Sequence, residues 1–372
     1  MKYFVSKFLL VLILTNCSNN QPSDLNSQKI EYEDYYSKTW QNLFPFDNQG
    51  NNGLDNISYF HNTSQDFLAI SKGIDSAVYL IDLGKLSVFK KINSFDLTPE
   101  GTTCIDNHAI AISENKIHIL YSNGTLYVED DGKLKLITSL NSNSKLKSDG
   151  LEVYYNIRGS ELFVVEDKLF FQVWKNYDEN ATYTEIDYNF PTVASYSLKT
   201  NEIEYVGIGY PKELFDNYYG VLHEYSFLYS NDSLYYFFEA IPEIWINKLS
   251  DKKVVKKRVR SKFQNQDIQP IDLENRIDEI LHSEINGRYS SLVFDPYKQI
   301  YYRFYQHPKS THPEGQYAIM ILSKNFNVIY EEELPKAVTP WICAPTEAGL
   351  VLSKFSLEEK KKEISLVLLK YN

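Results

Sequence analysis

The sequence predicts an all-β chain built as a six-bladed β-propeller, and three observations carry that expectation. Thirty Tyr and 21 Phe make aromatic residues 15% of the 372, a bias that suits pleated, half-buried surfaces. Short alternating runs have strand length and composition: Ala77–Leu83, Lys116–Leu120, Lys168–Trp174, Ser233–Phe238, Gln299–Tyr305 and Glu363–Leu369. Turn signals such as Ser122-Asn-Gly124, Asp130-Asp-Gly132 and Ser230-Asn-Asp232 separate them. The runs also recur as a unit of apolar strand, polar turn, aromatic strand, connector and more polar strand. Repeat starts near Ile57, Cys104, Arg158, Leu222, Arg288 and Val338 lie 47, 54, 64, 66 and 50 residues apart, which is blade spacing with loop insertions. A pair of two-sheet sandwiches is the alternative.

The chain opens with Lys2 and Lys7 around an aromatic start, then an apolar run from Phe8 to Leu14 that leads to Cys17. That run is too short to span a bilayer, which needs ~20 apolar residues, and it reads as an export signal over residues 1–16. With no small-x-small cleavage site present, Cys17 is expected to be the lipidated first residue of the mature chain. The alternative is a plain secretory peptide cleaved near Asn16. Residues 17–28, rich in Ser, Asn and Gln, read as a flexible tether, and residues 29–372 as the propeller.

Within the propeller the last repeat is one strand short, offering Thr339–Cys343, Gly349–Phe355 and Ile364–Tyr371. The alternating segment Ile30–Tyr36 is expected to complete it and so protect the ring from opening. Residues 175–191 interrupt the third repeat as a loop. Between blades 4 and 5, residues 261–287 hold Leu273, Ile277, Ile280, Leu281 and Ile285 at helical spacing, so a short helix with one apolar packing face is expected there. The run Lys252–Arg260, with valines among its cations, reads as an outer edge strand whose lysines prevent sheet-to-sheet association.

A net charge of −11 argues against nucleic acid as a partner. Beyond Cys17 only Cys104 and Cys343 occur, too few for a disulfide framework, and both read as small buried residues.

The exported Cys17, the strand phrases Phe67-Leu-Ala-Ile-Ser71, Tyr79-Leu-Ile-Asp-Leu83 and Tyr301-Tyr-Arg-Phe304, and the six repeats resemble the uncharacterised six-bladed propeller lipoproteins of Bacteroidetes-type bacteria. The resemblance spans nearly the whole chain and implies the fold and an envelope address. It transfers no activity.

Catalytic motifs are missing from the sequence: no Gly-rich phosphate loop, no His-Glu-x-x-His, no Gly-x-Ser-x-Gly and no Cys-x-x-Cys. The innermost strands of the expected blades contain or begin with His61, His108, Arg158, His223, Arg288 and Trp341. Converging at the channel mouth, these would make a locally positive funnel for an anionic ligand. His307-Pro308 and His312-Pro313-Glu314 form a second cluster on the loop after Tyr301–Tyr305. As a lone pair of histidines it is read as a connector, and neither metal nor cofactor is assigned.

The expectation is thus an exported propeller, lipid-anchored in the cell envelope and facing the periplasm or the cell surface. It would act as a non-enzymatic ligand-binding or protein-scaffolding module for an anionic small molecule, a glycan or an envelope protein. The alternative is a carbohydrate- or lactone-directed hydrolase or lyase with its site in the channel.

Overall fold

The computed structural model describes residues 30–34, 54–61, 66–72, 77–85, 87–93, 108–113, 116–121, 123–130, 133–154, 162–175, 189–217, 219, 224–251, 253–271, 276–312, 315–355 and 364–371. They form six antiparallel sheets, each a propeller blade. Blade 1 runs outward through Leu54–His61, Asp66–Lys72, Ala77–Asp82 and Ser87–Asn93. Blade 2 follows with His108–Ser113, Lys116–Tyr121, Thr125–Asp130 and Lys133–Ser139.

In blade 3 the innermost strand is split into Leu151–Val153 and Phe163–Val165, both paired with Lys168–Lys175, and Pro191–Ser197 and Ile203–Gly209 lie outside them. The expected start at Arg158 falls in the interval between the two halves, outside the described residues, as do most of 175–191. Blade 4 comprises Tyr225–Ser230, Ser233–Phe238, Glu243–Lys248 and Val254–Arg258. Blade 5 comprises Arg288–Asp295, Ile300–Gln306, Tyr317–Leu322 and Val328–Glu333.

Blade 6 has three strands from the C-terminal end, Val338–Thr346, Gly349–Phe355 and Ile364–Tyr371, and takes its outermost strand, Ile30–Asp34, from the N-terminal end. The pairing runs antiparallel from Ile30 opposite Tyr371 to Asp34 opposite Val367. Ile30 is buried against blade 6 and blade 5 side chains, and the Tyr32 hydroxyl donates to Glu332 of blade 5 at 2.7 Å. One short strand therefore covers the edge that the last blade would otherwise expose.

Ring closure also shows along the axis. Innermost strands touch between blades 1 and 2, 2 and 3, 4 and 5, 5 and 6, and 6 and 1, and Phe163 of blade 3 stacks on Tyr229 of blade 4 at 4.9 Å.

Burial grades outward for a simple reason: central strands are covered on both faces by neighbouring blades, whereas outer strands meet water. Every residue of Ser233–Phe238 is buried and every residue of Val254–Arg258 is exposed. The latter is the expected lysine-rich edge, but two of its three cations are matched. Lys256 lies over the Trp245 ring at 3.7 Å, and Arg258 pairs with Glu243 at 2.7 Å and Asp267 at 2.6 Å. The hairpin turn Asn231-Asp232 has positive φ at both residues, the mirror-image turn whose twist matches the flanking strands.

The inserted helix forms at Arg276–Ile285; of its expected apolar stripe, Leu273 and the side chains of Ile277 and Ile280 lie outside the described residues. Leu281 and Ile285 are each about half exposed, while His282 is buried with Nε2 2.8 Å from the Gln269 carbonyl. That hydrogen bond to an adjacent loop backbone holds His282 inward. Gly287 then joins helix to blade 5 where a Cβ would lie 2.1 Å from the Tyr305 hydroxyl. No helix among the described residues is long and apolar enough to cross a membrane.

Candidate functional site

Two neighbouring innermost strands build a cleft where blades 4 and 5 meet. Glu224, Tyr225 and Ser226 come from the leading end of the blade 4 inner strand, and Tyr289, Ser290 and Ser291 from that of blade 5. Phe237 and Glu239 close it from the second strand of blade 4. The space among these residues, open mouth included, is about 260 Å³.

The cleft is held from behind. The Tyr289 amide donates to the Glu239 carbonyl across the blade seam at 3.0 Å. The Tyr289 hydroxyl donates to Gln264 Oε1 at 2.5 Å and accepts from the Ser261 amide at 3.1 Å. Burial raises its phenol above the ordinary range, so it stays a neutral donor. Beneath it lies Arg303, fully buried, with its guanidinium 4.0 Å from the Tyr289 ring centre and donating to the carbonyls of Pro242, Val259 and Ile241. Burial brings Arg303 down to about 10, so it remains a cation at neutral pH and ties blade 5 to blade 4.

Arg288, the first residue of the blade 5 inner strand, stands at the cleft. Its Nε donates to Gln306 Oε1 at 2.6 Å and its Nη1 lies 3.4 Å from Glu239 Oε2. Its charge is therefore matched by a carboxylate that itself lines the cleft. Ser290 Oγ is buried without a hydrogen-bond partner and offers a donor and acceptor to a ligand.

The other residues expected at the channel are placed as follows. His108 opens its inner strand, as Arg288 does, and His61 closes its own. Inner strands repeated around a propeller run in one direction, so His61 is at the opposite end of the channel from His108 and Arg288. Trp341 sits inside the blade 6 inner strand, half-buried and stacked on Phe355 at 5.5 Å. Arg158 and His223 lie outside the described residues. Around Arg288 the wall carries carboxylates, Glu224 and Glu239, which sequence reading did not single out; they follow no motif and are brought together by the pairing of the first two strands of blade 4, where the Glu239 amide donates to the Glu224 carbonyl at 3.3 Å.

Further out on blade 5, His307 and His312 come together with Glu333 of the outermost strand.

The fold and family can be stated at this point. Residues 44–333 match the domain of unknown function DUF4221. The chain belongs to the DUF4221 family. A DUF4221 member from Bacteroides vulgatus superposes with a TM-score of 0.67 at 17% identity, covering 86% of this chain and 93% of that one. A Bacteroides fragilis protein assigned as exported gives a TM-score of 0.50 at 10% identity, over 94% and 96% of the two chains. These similarities establish the six-bladed fold of this DUF4221 protein. No curated protein matches its sequence.

Proposed function

We propose that this DUF4221 protein is a lipid-anchored envelope propeller that binds a hydroxyl-rich ligand, a glycan unit, at the blade 4–5 cleft. The observation that carries the reading is the cleft lining: Glu224 and Glu239 and the hydroxyls of Ser226, Ser290 and Ser291. Carboxylates and hydroxyls accept from and donate to sugar hydroxyls. Arg288 is matched by Glu239, which favours a neutral or amino sugar over an acidic one.

Calorimetric titration with neutral, amino and acidic glycans tests this, and Glu239→Gln is expected to weaken a neutral hit about tenfold, one charge-assisted hydrogen bond. Binding of acidic sugars alone, lost in Arg288→Ala, would return the site to anion recognition. The hydrolase alternative is favoured by one observation, two glutamates in one cleft; turnover of the hit, abolished by Glu224→Gln, would establish it. The anchor rests on the sequence of residues 1–17, and Cys17→Ala is expected to move the protein from the membrane to the soluble fraction. Equal membrane recovery would refute anchoring.

A further inference from the structure

We propose that His307, His312 and Glu333 form a zinc-class metal site that pins residues 307–312 to the outermost strand of blade 5, with one coordination position left to solvent. One ligand atom from each of the three lies within 4.8 Å of the others. Two imidazoles and one carboxylate are a donor set for zinc in three-ligand sites that keep a fourth position for water.

Three independent features of the surroundings point at an ion. First, His307 is 5% exposed, yet its Nε2 is buried with no hydrogen-bond partner. Leaving such an atom unmade is costly, and the atom it faces, Glu333 Oε1, is 3.7 Å away. That is too far for a hydrogen bond and close to the ~3.4 Å that separates two ligands of a tetrahedral ion with bonds of about 2.0–2.1 Å.

Second, His312 Nδ1 has an outer partner. Thr311 Oγ1 donates to the Pro308 carbonyl at 3.1 Å, so at 2.9 Å from His312 Nδ1 it accepts that nitrogen's proton. The lone pair is left on Nε2, and outer partners of this kind orient metal-binding imidazoles. Third, Glu333 Oε2 accepts from Gln316 Nε2 at 3.2 Å, which leaves Oε1 for the ion.

The loop is shaped for this approach. The His307 amide donates to the Gln316 carbonyl, the His312 amide to the Pro308 carbonyl and the Gly315 amide to the His312 carbonyl, each at 2.9 Å. These bonds fold the loop back so that the two rings sit 4.3 Å apart. Phe263 and Tyr305 meet the His307 ring edge-on at 5.2 and 5.6 Å.

The test is titration of the purified, chelator-treated protein with Zn²⁺ and with Co²⁺, read by calorimetry, by the visible ligand-field bands of four-coordinate Co²⁺ and by melting temperature. One equivalent per chain is expected, with a Zn²⁺-dependent rise in melting temperature. His312→Ala and Glu333→Gln, at positions near the surface that leave the buried His307 in place, should each weaken Zn²⁺ at least 100-fold and remove the Co²⁺ bands. Thr311→Val should weaken it about tenfold through the lost outer-shell bond. Substoichiometric binding by the wild type, affinity unchanged in His312→Ala and Glu333→Gln, or equal affinity for Mg²⁺ would each overturn the proposal.

Discussion

Acidification should destabilise this propeller through one buried imidazole, His118. It sits in the second strand of blade 2, 2% exposed, opposite Ala111 on the face packed toward blade 3. Its Nε2 is 2.9 Å from Ser113 Oγ, and its Nδ1 is buried without a partner. Burial, with Lys116 adding repulsion, brings its pKa from 6.5 down to about 4.

In the unfolded chain the imidazole takes up its proton near 6.5, and in the folded chain only near 4. Between those values the unfolded state binds more protons, so stability is full above 6.5 and declines as pH falls toward 4. At about pH 4.5 the loss is roughly 2.5 kcal/mol, from ~1.4 kcal/mol per tenfold change in proton affinity. His307 and the carboxylates contribute in their own right, so the informative quantity is the difference between wild type and His118→Gln, whose amide does not titrate. Urea unfolding at about pH 7.5 and about pH 4.5 should show that difference moving by about 2–3 kcal/mol in favour of the variant on acidification. Identical pH dependence in the two proteins would refute the assignment.

Removing residues 29–37 should lower the melting temperature of the whole ring in a single transition. The buried Ile30 and the blade 6 edge are worth a few kcal/mol, or roughly 3–6 °C for a chain of this size; an unchanged melting curve would exclude the closure. Arg303→Met should cost about 2–4 kcal/mol in urea unfolding because the carbonyls of Ile241, Pro242 and Val259 lose a charged donor. A near-neutral effect would mean that the blade 4–5 seam repacks around the smaller charge-free side chain.

What was legible in the sequence was whatever repeats locally. Period-two alternation and turn residues such as Asn231-Asp232 act over a few positions, so strands, hairpins, blade number and the closing segment Ile30–Asp34 follow from sequence alone. The aromatic excess has its counterpart in the packed seams between blades, where Trp174, Tyr210, Tyr225 and Phe238 meet. Side-chain partners across a seam carry no local signal. Arg288 reads as a free cation in sequence, and only the neighbouring blade supplies Glu239. Leu281 and Ile285 share a helical period, yet both are about half exposed while His282 is buried against the Gln269 carbonyl, a contact with no local signal. His307 and His312 were visible as a pair, but Glu333 stands 21 residues beyond His312, and the antiparallel return of blade 5 is what places it beside them. Local periodicity determines the ring; charge balance and ligand geometry depend on pairs distant in sequence, which only the closed tertiary structure brings within a few ångströms.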